Sequence, residues 1–181
     1  MGGPDAAAPL FALTGTGEPT PLRLAAARAL RELSLREGRL SDSLDVEGRV
    51  QELLGTLELL NRAARECAAG RPAVSALLVD HARIHAQILF ALLGLRFPAE
   101  PLLRAEENLF SEDARLQSNA LELVDSVLPR TLSARLSPQL AALTSEPASP
   151  GPDFTVGTRA DLDATGSPWI RAVAGFGEAA A

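Results

Sequence analysis

Residues 113–129 read DARLQSNALELVDSVLP, and this stretch decides the fold more clearly than any other part of the chain. Its apolar residues recur at intervals of three or four, so they share one stripe of a helix: Leu116, Ala120, Leu123 and Val127. Asp113 stands at the start, where the helix dipole favours negative charge, and Pro129 ends the helix. The stretch predicts a helix that packs on similar helices, which favours a binding scaffold over an enzyme.

Composition extends this prediction to the whole chain. The length of 181 residues suits one domain. Hydrophobic residues make up 46% of the chain, but aromatic residues only 4%, with one Trp and no Tyr. The core must therefore consist mainly of Leu and Ala, which are strong helix formers. Residues typical of strands are scarce, so we expect an all-α fold.

Charge and cysteine content narrow the possible functions. All 17 basic residues are Arg, which we attribute to coding bias rather than to phosphate recognition, and the net charge of −6 argues against a nucleic-acid partner. Cys67 cannot form an internal disulfide, and its place on an apolar stripe predicts a buried structural thiol.

Residues 1–19 lack the pattern of a signal peptide, and the apolar run 84–95 is too short to span a bilayer. We expect a cytoplasmic protein without membrane insertion by this chain.

Helical periodicity and Gly or Pro punctuation divide the chain into segments. The predicted helices span residues 20–37, 43–69, 72–93, 102–109, 113–128, 131–143, 159–163 and 169–176. Apolar stripes are expected in three more of them: Leu22, Ala26, Ala29 and Leu33 in the first; Val46, Val50, Leu53, Leu57, Leu60, Ala64 and Cys67 in the second; and Leu132, Leu136, Leu140 and Leu143 in the helix 131–143. Thr20 is the expected N-cap of the first helix, and Pro138 is expected to kink or break the helix 131–143. The predicted organisation is a disordered tail (1–19), a helical repeat domain (20–143), a Pro-rich linker (144–158), and a partial terminal repeat with a tail (159–181).

A weak internal repeat supports this division. Residues 82–86 (ARIHA), 116–120 (LQSNA) and 170–174 (IRAVA) each end in Ala, and they start 34 and 54 residues apart. HEAT and armadillo repeats have periods of about 40–47 residues, so the match is loose. An Ala on the inner face would let a neighbouring helix approach closely.

Residues 92–129, which end in ALELVDSVLP, resemble the HEAT-like repeats in the soluble part of bacterial ATP/ADP-translocase-like membrane proteins. Residues 163–177, DATGSPWIRAVAGFG, resemble the start of a further repeat. The resemblance implies a short α-solenoid of HEAT-like hairpins with an N-terminal helical portion and disordered ends. It also implies a scaffold or regulatory module in a larger membrane-associated assembly, at the cytosolic face of the membrane. Gln117 departs from the Arg usual at its position, and transport is not implied because the chain has no transporter segment.

Such a module would bind a protein through the second helix of each hairpin. This expectation nominates Gln87, Gln117 and Glu122 as partner-binding residues. Trp169 joins them because Trp is common at interface hot spots, although packing on the preceding repeat is the simpler role for it. We expect no catalytic residue and no cofactor, and neither the partner nor the oligomeric state follows from the sequence.

Three alternatives stay open. His81 and His85 share a helix face, beside Asp80, and could hold a metal ion. The sequence shows no third ligand at a spacing typical of metal sites. Glu106 and Glu107 are better explained as part of a solvated helix face. A HEAT-like lyase acting on a bilin chromophore would need a reactive Cys or a polar pocket. The long helices before residue 95 could also pack as a plain helical bundle.

Overall fold

The computed structural model describes residues 6–38, 40, 44–145 and 151–176, and within these ranges it contains nine α-helices and no strand. The all-α prediction is confirmed. The helices are α1 (Ala7–Ala12), α2 (Thr20–Glu37), α3 (Val46–Cys67), α4 (Pro72–Leu93), α5 (Ala99–Leu109), α6 (Ala114–Val127), α7 (Arg130–Ala142), α8 (Val156–Ala164) and α9 (Pro168–Gly175).

Helices α3 and α4 form the centre of the fold. Every apolar residue of the stripe predicted for α3 is buried: Val46, Val50, Leu53, Leu57, Leu60, Ala64 and Cys67. In α4 the six consecutive residues 88–93 are all buried, so this helix is surrounded on all sides near its C-terminal end. By length and composition α4 could cross a membrane, but 61% of its most apolar 18-residue window is buried inside the fold. Its apolar character is therefore accounted for by its central position.

The other helices pack around this pair. Helix α2 packs on α4, α1 on α2, and α7 on α3. Helices α5 and α6 form a hairpin that joins α4 to α7. The three Ala residues that end the repeated segments, Ala86, Ala120 and Ala174, are all buried, as the pattern predicts. Asp113 and Ser167 cap their helices, accepting hydrogen bonds from the backbone N–H groups of Arg115 and Ile170 respectively.

The N-terminal segment corrects the sequence prediction. Helix α1 lies within residues 1–19, where a disordered tail was expected, and both Ala7 and Thr14 are buried. Residues 1–5 of that tail, and residues 177–181 at the other end, lie outside the described residues. Thr20 is the first residue of α2 rather than its cap, because Pro19 takes the N-cap position.

Two predicted stripes are displaced around their helices. In α2, Leu22 is exposed while Arg23 is buried, together with Ala26, Leu30 and Leu33. In α6, Leu116 is exposed while Ala120 and Val124 are buried. Helix α6 packs on α5 and α7 at the edge of the fold, and an edge helix buries a narrower stripe than a central one.

Helix α7 runs without a break from Arg130 to Ala142 with Pro138 inside it. Of the two predicted effects of Pro138, the break is therefore wrong, and the kink stays a prediction. Pro138 removes one backbone hydrogen bond. Leu136 and Leu140 on either side of it are buried, and their packing stabilises the continuous helix.

The predicted linker is partly docked. Residues 146–150 lie outside the described residues, but Gly151 exchanges backbone hydrogen bonds with the end of α3, from Ala69 N to Gly151 O (2.8 Å) and from Gly151 N to Arg65 O (2.9 Å). A Cβ atom on Gly151 would collide with the carbonyl oxygen of Glu66, so glycine permits this close approach. Helix α8 then begins at Val156, inside the predicted linker.

Helices α8 and α9 form the segment that was expected to be a partial repeat, and they pack on α3 and α4 respectively. The carboxylate of Glu66 accepts hydrogen bonds from Thr155 N (2.8 Å) and from the Thr158 hydroxyl (2.9 Å) at the start of α8. Arg71 and Arg159 both donate to the carbonyl oxygen of Ala174 in α9, at 3.0 and 2.7 Å. These contacts hold the C-terminal helices against the central pair.

Candidate functional site

A buried polar cluster lies where α2, α4 and α9 meet. It contains Arg23 from α2, His81 and His85 from α4, and Trp169 from α9. The two His residues are four apart, so they lie on the same helix face, and their ring centroids are 4.7 Å apart. This face of α4 points toward α2 and α9, which bring the other two side chains.

Hydrogen bonds fix the tautomer of His85. Its Nδ1 lies 3.1 Å from the carbonyl oxygen of His81, and its Nε2 lies 3.3 Å from Nη1 of Arg23. A carbonyl can only accept and a guanidinium can only donate. His85 therefore carries its proton on Nδ1, donates to His81, and accepts from Arg23 through Nε2.

Burial keeps both His rings neutral. Desolvation, with a smaller effect of the nearby Arg23 charge, lowers the pKa of His81 from 6.5 to about 4. Desolvation also lowers the pKa of His85 to about 3, with further lowering by His81 and Arg23. At neutral pH the cluster thus holds a single positive charge, that of Arg23.

Trp169 covers one side of the cluster. Its ring stacks on His81 with centroids 3.9 Å apart and an interplanar angle of 15°. The side chain is 37% exposed, so one part of the ring packs on α4 while another part faces solvent. Trp169 therefore packs on α4. That α4 belongs to a preceding repeat stays a prediction, and so does a partner-binding role for the exposed part of the ring.

The two His residues share a face, as a metal site would require. Among the described residues, no three His, Cys, Asp or Glu side chains are grouped so that they could hold a metal ion. Glu106 is not on a solvated face as expected. It is nearly buried and forms an ion pair with Arg31 at 2.8 Å, which joins α5 to α2.

Two of the residues expected to bind a partner, Gln117 and Glu122, point away from each other on α6. Gln87 accepts a hydrogen bond from Arg28 at 3.3 Å, and Gln117 donates to the carbonyl oxygen of Ser111 at 2.8 Å. Glu122 is exposed on α6. Because Gln117 and Glu122 are five residues apart on one helix, they point about 140° away from each other. Their role stays a prediction.

A groove between α3, α4 and α7 is a feature that the sequence analysis missed. It has a volume of about 690 Å³. Its apolar lining comes from Val46, Val50, Leu93, Phe97, Pro129 and Leu132, and its polar lining from Glu47, Gln51, Arg96, Thr131 and Arg135. Arg135 crosses from α7 to α3, where it donates to Gln51 (2.6 Å) and Glu58 (3.0 Å). Leu132, predicted to face the core, is instead half-buried at the groove.

Cys67 is a structural thiol, as predicted. It is completely buried, and burial raises the pKa of its thiol to about 11. Its Sγ lies 3.7 Å from the carbonyl oxygen of Ala64. At neutral pH the side chain is therefore an uncharged thiol without access to solvent, and a nucleophilic role is disfavoured.

Comparison with protein-family models finds no matching family, and comparisons with curated proteins and with solved structures find no similar chain.

Proposed function

We propose that this protein is a non-enzymatic helical module that binds another protein through the groove between α3, α4 and α7. The observation that carries the proposal is a concave surface with an apolar floor and a polar rim, at the junction of three helices. This is the general anatomy of a protein-binding patch, in which apolar anchors fill the centre and polar groups surround them.

The size of the groove defines the partner. A volume of about 690 Å³ accommodates a few apolar side chains but not a folded domain. The α3 residues that line it, Val46 to Gln51, cover little more than one helical turn. We infer that the partner inserts apolar side chains from one or two turns of an amphipathic helix, the recognition mode that uses a hydrophobic groove.

Charge at the rim refines this inference. Glu47 and Arg96 stand at the rim on α3 and just beyond the end of α4, and Arg135 stands on α7. Arg135 is already paired with Glu58, so it offers a partner hydrogen bonds more than an uncompensated charge. The groove therefore favours a partner helix with mixed polar flanks over one with a strongly acidic or basic face.

The arrangement of helices supports a bundle more than a solenoid. In a solenoid each hairpin contacts chiefly its neighbours in sequence, whereas α8 packs on α3 and α9 packs on α4. The α5–α6 hairpin is the part for which we retain a HEAT-like origin as a proposal. On the same resemblance of residues 92–129, we also propose a cytoplasmic setting and a place in a larger assembly at a membrane.

The lyase alternative gains no support from the site. It depends on a reactive Cys or a polar pocket for the chromophore, and Cys67 is a buried thiol whose pKa is raised to about 11. The polar cavity beside His81 has a volume of only about 30 Å³, too small for a tetrapyrrole. We therefore keep the interaction module as the single proposed function.

Site-specific photo-crosslinking in the native host tests the proposal. A photoreactive amino acid is placed at Gln51 or Thr131, which are exposed at the groove, and at Glu32, an exposed control on α2. The photoreactive amino acid is also placed at Gln87 and at Glu122, which were expected to bind the partner. The proposal requires one protein to be captured from both groove positions and not from Glu32.

A pair of variants makes this test specific. Leu132 and Leu123 are both half-buried leucines, but only Leu132 lines the groove. Leu132→Gln should abolish the crosslink, and Leu123→Gln should leave it intact. Capture from Gln87 or Glu122 alone, or a crosslink that survives Leu132→Gln, would contradict the groove as the binding surface.

A further inference from the structure

A small polar cavity lies beside the buried cluster of α2, α4 and α9. It has a volume of about 30 Å³, and its lining comes from α2 and the segment before it, from α3 and α4, and from the start of α9. The residues that matter here are Glu18, Thr20, Arg23, His81, His85 and Ser167. A space of this size holds about one water molecule or one ion of similar size. Most of the lining groups are polar, so the cavity is built for a polar occupant.

Arg23 is the charged group of this cavity whose bonding is incomplete. Its side chain is 4% exposed. Its Nε donates to the carbonyl oxygen of Thr14 (3.1 Å) and its Nη1 to His85 (3.3 Å), but its Nη2 has no hydrogen-bond partner. Among the described residues no carboxylate forms an ion pair with Arg23. Glu52 lies near enough to favour its charged form, but the Glu52 carboxylate is paired with Arg49 at 2.6 Å. A buried cation without a directly paired counter-ion is costly.

The surroundings of Arg23 add positive potential. Helix α2 begins at Thr20 and helix α9 begins just after Ser167, and both of these residues line the cavity. Helix N-termini carry a partial positive charge and favour anions. The neighbouring His rings are neutral at physiological pH because burial lowers their pKa values, so Arg23 is the charged side chain that attracts an anion to the cavity. Glu18 is the one lining group of opposite sign.

We propose that this cavity binds a small monovalent inorganic anion of about the size of chloride, held by the guanidinium of Arg23 between the N-termini of α2 and α9. The small volume of the cavity, about 30 Å³, favours an ion of this size over sulfate and phosphate, which carry four oxygen atoms. A bound anion neutralises the buried charge and ties α9, through Trp169 and His81, to the rest of the fold. The C-terminal helices are then docked more firmly when the anion is present.

Thermal unfolding at constant ionic strength tests the proposal. Sodium gluconate is replaced stepwise by sodium chloride or bromide while the unfolding midpoint is followed by circular dichroism. We expect a saturable rise in Tm, about 5 °C or more at a hundred times the Kd, for chloride and bromide. A second reading, broadening of the ³⁵Cl resonance that bromide reverses, detects the bound ion directly.

Matched variants locate the site. Arg23→Met removes the buried charge, and Arg28→Met removes an exposed charge from the same helix. Arg23→Met should lose the chloride-dependent rise and the ³⁵Cl broadening, while Arg28→Met should keep both. An unchanged Tm when chloride replaces gluconate, or a chloride effect that persists in Arg23→Met, would overturn the proposal.

Glu18 provides an independent variant if Arg23→Met fails to fold. Its removal from the cavity wall by Glu18→Gln should lower the chloride concentration at half-effect several-fold, because a repulsive charge is lost. If Glu18 itself serves as the counter-ion of Arg23, the variant should instead be destabilised in gluconate and should gain a chloride response that the parent protein lacks. That result would overturn the proposal.

Discussion

Acidification from pH 8 to pH 5 should destabilise the fold through the two His residues of α4. The folded-state pKa values of His81 and His85 are lowered from 6.5 to about 4 and about 3. In the unfolded chain both rings regain a pKa near 6.5. Between these values the unfolded state binds more protons than the folded state, so stability falls as the pH falls below about 6.5.

The magnitude follows from the difference in protonation. At pH 5 an unfolded His is almost fully protonated, while a buried ring with a pKa of about 4 or below is almost fully neutral. Each ring then lowers the free energy of unfolding by about 2 kcal/mol relative to pH 8, so the pair lowers it by about 4 kcal/mol. For a chain of 181 residues this corresponds to a fall in Tm of about 10 °C.

Urea unfolding at pH 8, 7, 6 and 5 measures the effect. Circular dichroism reports the helices as a whole, and the emission of Trp169, the single Trp, reports the docking of α9 on His81. The range stops at pH 5 because Glu66 and Asp153, whose pKa values are lowered by hydrogen bonds, titrate below it.

A double variant separates the His effect from other causes. His81→Phe preserves the stack on Trp169, and His85→Gln preserves an acceptor for Arg23, but neither replacement titrates. The double variant should change by less than about 1 kcal/mol over the same pH range. A parent protein that loses less than about 1 kcal/mol, or a double variant with an equal loss, would refute the buried neutral state of the two rings.

Three further predictions test the packing. Glu106→Gln should lower the free energy of unfolding by about 2–4 kcal/mol, because it leaves the nearly buried Arg31 unpaired. Glu100→Gln, in an exposed pair of the same helix, should lower it by less than about 1 kcal/mol. Urea titrations measure both values, and equal losses would contradict a buried Glu106–Arg31 ion pair. Ala120→Leu should cost about 1–3 kcal/mol by overpacking a fully buried position between α6 and its neighbours, and a neutral effect would mean that this face is open. Cys67 should react with a thiol reagent only at the rate of unfolding, and rapid labelling of the folded protein would contradict its burial and its raised pKa.

The central helices could be predicted because their signals are local. Pro72 and Gly94 bound the apolar run that forms α4, and the stripe from Val46 to Cys67 keeps one helical face over the whole of α3. Both helices lie at their expected places because burial on a central helix follows directly from its periodicity. The displaced stripes occur on α2 and α6, where the position of a few neighbours decides which face is covered.

The polar cluster and the groove could not be predicted, because each depends on residues far apart in sequence. Arg23 looks like a surface residue of an amphipathic helix until α4 and the Thr14 carbonyl are placed beside it. The stack of Trp169 on His81 joins positions in α9 and α4. The spacing of the two His residues did indicate that they share a face, but it did not indicate which helices cover that face.

Hydrogen–deuterium exchange on the captured complex tests the central claim most directly. If a partner helix fills the groove, amides of residues 46–51 and 130–135 should exchange more slowly in the complex than in the free protein, while those of α8 and α9 should be unchanged. Protection confined to α6, α9 or the outer face of α2, with the groove residues unaffected, would contradict the proposed binding surface.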